Sequence, residues 1–225
     1  MKSPRVPRFL LTLAGMVVTL AGSALAGPPL ICHPIAIGPA KSLPLLDWNS
    51  SNTGGYDMKN LTHDTLNLLD SDRTVLVHME TLRRATIFVR HDAQAAKDLF
   101  LKMRVRAEKS DMSQRPEGLA WFDAGYLAEA YRQWLGKGEV NPAAGVDGYS
   151  WIRKAIALRG QDAEMEFAAA LVTLSGPEKA HREHVRNATA GAKSDSLLMQ
   201  NLASRFRQET IAEMLAQTTS AEGGK

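Results

Sequence analysis

Trp151-Ile-Arg-Lys-Ala-Ile-Ala-Leu-Arg-Gly-Gln-Asp-Ala-Glu-Met-Glu-Phe-Ala-Ala-Ala170 reads as a helix, a short turn carrying a capping Asp, and a second helix. The unit recurs. Arg153-Lys-Ala-Ile-Ala157 followed by Asp162 aligns, 33 residues later, with Arg186-Asn-Ala-Thr-Ala190 followed by Asp195. About twice that distance upstream, Arg83-Arg-Ala-Thr-Ile87 and Asp92-Ala93 occupy the same register. A repeated helix-turn-helix pattern with no convincing strand pattern predicts an all-α chain of stacked antiparallel helical hairpins.

Helical periodicity extends outward from this stretch. Met58, Leu61, Thr65, Leu66 and Leu69 mark a first helix ending near Asp70. Val75 to Val89 marks a second, with Asp72 as its N-cap, and Asp92 caps a third through Val105. Pro116 suits the first turn of a fourth, Glu117 to Leu135, which is stopped by Gly136-Lys-Gly138. Its faces are apolar or small nearly all round (Trp121, Phe122, Ala124, Gly125, Tyr126, Ala128), which predicts a central helix. A fifth helix spans Asp147 to Leu158 and a sixth Asp162 to Leu174. Gly176-Pro177 introduces a seventh, to about Ala190. Asp195 is the expected cap of an eighth carrying Leu198, Leu202, Phe206, Ile211 and Leu215.

The junction at 151–170 resembles the tetratricopeptide repeat. Ala155, Gly148 and Ala170 fit that family's small positions, where two helices approach closely, and Gly125 could serve likewise in the fourth helix. The match is degenerate: Gly160, Arg90 and Lys193 replace the usual turn Pro, and His78 and His181 stand where a small Ala is typical. The resemblance implies an α-solenoid that binds a protein or peptide on a curved surface. Tyr126, Glu129, Arg132 and Glu166 are the expected groove residues.

The termini divide the chain further. Residues 1–26 read as a secretory signal peptide: Lys2, Arg5 and Arg8, an apolar run from Phe9 to Leu20, and Ala24-Leu25-Ala26 as cleavage site. Residues 27–55 form an expected extended arm. Pro28, Pro29, Pro34, Pro39 and Pro44 oppose helix there, while Leu30, Ile31, Ile35, Ile37, Leu43, Leu45, Leu46 and Trp48 give it apolar side chains to bury. Asn49 to Gly55 reads as a flexible loop. The helical domain is expected over 56–217 and a disordered tail over 218–225.

Charge excludes one class of function. Of 27 Lys and Arg, three lie in the leader, which holds no acid; the remainder balances at 24 basic and 24 acidic residues. A neutral domain has no overall field to draw it onto nucleic acid. No apolar run beyond the leader is long enough to span a bilayer. The expected location is therefore periplasmic or extracellular, with no membrane association after cleavage.

Chemistry-bearing motifs are few. Cys32 is the only cysteine, so no internal disulfide forms. In Cys32-His33-Pro34 the imidazole could activate the thiol. Neighbours in an extended chain face opposite sides, however, so a small apolar cysteine packed with Leu30 and Ile35 is the competing reading. Glu178, His181 and His184 share a helix face and could converge on a divalent metal; a solvated face explains them equally simply. The Arg83-Arg84 and Lys102/Arg104/Arg106 runs read as solvated faces. Phosphate loops, nucleophile elbows and zinc-cysteine pairs are lacking, and no cofactor is implied. The expectation is a non-enzymatic exported scaffold or protein- and peptide-interaction module. The alternative is a small metal- or thiol-dependent enzyme or redox protein using Cys32 or His181 and His184.

Overall fold

The structure, a computed structural model, describes residues 27–45, 55–113, 117–135 and 140–206. The expected leader, Leu46 to Trp48, most of the 49–55 loop, Pro116, the Gly136 stop, Ile211, Leu215 and the 218–225 tail lie outside the described residues. Among the described residues every regular element is helical. After a 3₁₀ turn at Met58–Asn60 come α1 (Leu61–Ser71), α2 (Val75–Phe88), α3 (Ala93–Asp111), α4 (Gly118–Trp134), α5 (Gly148–Arg159), α6 (Ala163–Val172), α7 (Glu178–Gly191) and α8 (Leu197–Arg205).

Side-chain caps explain most of the boundaries. Asp92, Asp147 and Asp162 accept the amides of Ala95, Ser150 and Glu164, so each orphan N-terminal turn finds an acceptor where expected. Two expected caps are displaced. The N-cap of α8 is Ser196, whose Oγ accepts from Met199 N, so Asp195 lies one residue outside. The N-cap of α2 is Thr74, and Asp72 instead accepts the Thr74 amide in a short turn before it. Gly160 ends α5 at φ +68°, a conformation that costs glycine no Cβ clash.

Sequential helices pack on one another from α1 to α7, except that α2 reaches past α3 to α4. α2, α4 and α6 also touch one another and are buried along nearly their whole lengths. α1, α3, α5 and α7 each bury only a stripe, such as Val185, Ala188 and Thr189 of α7. The core is therefore a central trio of helices flanked by amphipathic ones. At the α4–α5 crossing two glycines allow the backbones to touch: a Cβ on Gly125 would stand 2.6 Å from the Gly148 carbonyl oxygen.

The remaining side of the trio is covered by residues 27–45 and α8. Leu30, Ile31, Ile35, Ile37 and Leu43 are buried there, each stabilising by about 1.5–3 kcal/mol. Between them Pro34, Ala36 and Gly38 face solvent, while Cys32 and His33 are half-buried. Phe206, just past α8, packs edge-on against Phe167 of α6 at 6.2 Å. No helix among the described residues is long and apolar enough to cross a membrane.

Candidate functional site

α2 carries Glu80, Arg83 and Arg84 within two turns, and they project under residues 31–43 rather than into water. Arg83 is only 2% exposed and Glu80 is fully buried, which corrects the expectation that Arg83-Arg84 forms a solvated face. The reason is local: with Val77, Met79, Leu82 and Ala85 all buried too, α2 has no face left for solvent.

These side chains bind main chain. Glu80 Oε2 accepts the Ile35 amide at 2.9 Å, and the same carboxylate takes Arg83 Nε at 2.7 Å and Arg84 Nε at 2.7 Å. Arg83 Nη1 donates to the Ile31 carbonyl at 2.9 Å, and Arg84 Nη1 donates to that of Leu43. From α4, Gln133 accepts the Leu30 amide at 2.9 Å. From α8, Asn201 pairs with both the amide and the carbonyl of Ala36, at 2.8 and 2.9 Å. Arg205 donates to the carbonyls of Pro29, His33 and Pro34. Six side chains on three helices thus hold an extended segment by its backbone. Prolines suit this arrangement, because they leave the carbonyls available and fix an extended φ.

Burial pushes the Glu80 carboxyl up, but hydrogen bonds and charge from Arg83, the Ile35 amide and Arg84 hold it below the usual carboxylate range. Glu80 is thus ionised and can accept all four donors, the fourth being Arg83 Nη2 at 2.8 Å from Oε1. Cys32 sits half-buried in this region; burial raises its thiol pKa, and Arg83 and Arg205 offset that only partly. A raised pKa does not make a nucleophilic thiolate.

The other expected site residues are dispersed. Tyr126 is fully buried in α4; burial raises its phenol pKa, and its hydroxyl has no hydrogen-bond partner among the described residues. Glu129 is buried at the α4–α5 crossing, where it accepts the Tyr149 amide at 3.0 Å and pairs with Arg132. It therefore serves the positive N-terminus of α5. Arg132 lines a separate cavity of about 620 Å³ beside Pro29, with Asp147, Tyr149 and Thr173. Glu166 accepts from His184 Nδ1 at 2.5 Å and from Asn187.

The expected metal set does not converge. Glu178 pairs with Arg182, and His181 Nδ1 donates to the Ala170 carbonyl. His184 uses both ring nitrogens, on Glu166 and on Tyr149 Oη at 2.7 Å. No group of three or more His, Cys, Asp or Glu among the described residues is placed to hold a metal. The carboxylate–imidazole–phenol chain links α6, α7 and α5, and burial keeps the Tyr149 phenol protonated by raising its pKa.

A buried His–Asp pair was not foreseen. His78 Nδ1 lies 2.6 Å from Asp123 Oδ1, and His78 Nε2 lies 2.8 Å from the Asp72 carbonyl oxygen. Both partners only accept, so both ring nitrogens carry protons and the ring is cationic. Burial pulls the His78 pKa down, but the Asp123 charge and the two hydrogen bonds raise it overall. The pair ties α2 to α4, with Arg106 of α3 3.9 Å from the other Asp123 oxygen.

Compared with known proteins, the chain matches no family model, no curated protein and no solved structure.

Proposed function

We propose that this protein is an exported, non-enzymatic scaffold of α-solenoid type, whose groove over α2, α4 and α8 binds extended protein segments. One observation carries the reading: six side chains grip the backbone of residues 29–43, and apolar pockets between them take alternate side chains. Main-chain bonds supply affinity without demanding one sequence, as in other recognition of extended peptides. In this chain the groove is filled in cis. The close approach of α4 and α5 at Gly125 and Gly148 supports the tetratricopeptide-like frame, and the leader sequence supports export.

The test separates the segment from the body after folding. A specific protease site placed within residues 46–54 lets the folded chain be cut there. The nicked protein should retain its N-terminal fragment through gel filtration. It should also exchange that fragment for a fluorescent peptide of residues 27–45, read by anisotropy. A body that stays helical by circular dichroism, loses the fragment and ignores the peptide would contradict the proposal.

A further inference from the structure

The groove's charges do not match its occupant. Among the described residues, Arg83, Arg84 and Arg205 lie beneath residues 29–43 against a single carboxylate, that of Glu80. Arg205 is 6% exposed and has no carboxylate partner among the described residues; it is satisfied only by carbonyl oxygens. Residues 27–45 contain no Asp or Glu to answer it. A buried guanidinium whose hydrogen bonds go only to carbonyl oxygens, with the Glu80 charge near but not bonded to it, forgoes the stronger charge-assisted bond that a carboxylate would give.

Two further atoms show the same mismatch. Among the described residues the buried Nε2 of His33 finds no hydrogen-bond partner, and neither does the fully buried hydroxyl of Tyr126. Arg205 and Arg83 act on both groups. Burial first, then those two charges, lower the His33 pKa, so the ring cannot relieve its position by taking a proton near neutral pH. An imidazole therefore occupies a place that suits an anion.

We propose that residues 27–45 are a placeholder, and that the groove's preferred occupant is an extended segment of a partner protein carrying a carboxylate at the register of His33. Its apolar residues would sit at the registers of Ile31, Ile35 and Ile37. A Glu there reaches about as far as the imidazole, which puts its charge in the field of Arg205 and Arg83 that already acts on His33. The inference rests on the groove reading above and adds the chemical class of the partner.

The nicked protein tests it with three labelled 27–45 peptides: wild type, His33→Glu and His33→Gln. The Glu peptide should bind about tenfold more tightly than the wild type, while the neutral Gln peptide stays within about threefold of it. The gain should vanish on an Arg205→Gln body. In the intact chain, His33→Glu should raise the thermal midpoint, which gives a second readout if the nicked body is fragile. Equal or weaker binding of the Glu peptide, with the wild-type peptide still bound, overturns the carboxylate proposal alone. Equal gains from Glu and Gln would assign the effect to shape and overturn it too. Failure of all three peptides to bind a folded body instead overturns the groove reading.

Discussion

Gly125→Ala is a sharp probe of how closely the helices pack. Gly125 lies inside α4, where Ala is intrinsically better by about 1 kcal/mol. Propensity alone therefore predicts stabilisation. The structure predicts the reverse. The added Cβ would stand 2.6 Å from the Gly148 carbonyl oxygen and 3.0 Å from both Ile152 N and Trp151 Cβ. Two of these atoms are backbone of α5 and cannot rotate away. Restoring ordinary contact at 3.4 Å means parting α4 from α5 by most of an ångström. A gap of that size forfeits a quarter to a half of each dispersion contact along the seam. Overpacking of this kind costs about 1–3 kcal/mol beyond the propensity gain. For a chain of this size the thermal midpoint should fall by roughly 3–10 °C. Gly118→Ala is the comparison: the nearest atom there, at 2.6 Å, belongs to the flexible Arg159 side chain, and the nearest backbone atom, the Ala155 carbonyl oxygen, stands at 3.0 Å, so a smaller loss is expected. Thermal and urea denaturation of both variants check it. A Gly125→Ala protein as stable as wild type, or more so, would refute the close approach.

Other consequences follow from the buried polar groups. Proton NMR titration should find His78 titrating above the ordinary value of about 6.5, with His33 and His181 below it. Since the folded-state pKa of His78 is raised, its contribution to stability is complete below about pH 6.5 and is lost as pH rises through the folded pKa. Urea midpoints of wild type minus His78→Gln, plotted against pH, should decline across that window; a flat difference would remove the cationic assignment. Asp123→Ala leaves the His78 charge buried without its partner and should cost about 3–5 kcal/mol in the same assay. Arg205→Ala frees three carbonyls and should make the Lys41 bond cleave markedly faster in limited trypsinolysis. Tyr149→Phe removes one hydrogen bond to His184 and should cost only about 1 kcal/mol.

Much of the fold was legible because helix signals are local. Asp92, Asp147 and Asp162 announce their helices within three residues, and the all-round apolar pattern of 117–135 marks α4 as central before any contact is known. Asp195 misled because Ser196 beside it caps equally well. The site was far less legible. Its partners stand 45 residues apart for Glu80 and Ile35, and 172 apart for Arg205 and His33, so no spacing rule joins them. Arg83-Arg84 looks like any basic pair. The signal available was indirect: α2 holds apolar residues on every face, so its Glu80 and Arg83 had to be satisfied inside the protein. Glu129 and Glu166 are expected on the sequence as groove residues, but in the structure Glu129 accepts the Tyr149 amide of α5 and Glu166 pairs with His184 of α7. Only Tyr126 of the expected groove residues lies among the charges beneath the bound segment.

Site-resolved hydrogen exchange of the intact protein tests the central claim most directly. The amides of Leu30, Ile35 and Ala36 each donate to a side chain of the body, on Gln133, Glu80 and Asn201 respectively. They should exchange orders of magnitude more slowly than an unstructured chain, and Arg205→Ala should speed them while the amides of α4 stay protected. Exchange of these three amides at the unstructured rate in the wild-type protein, with α4 still protected, would contradict a segment held in the groove.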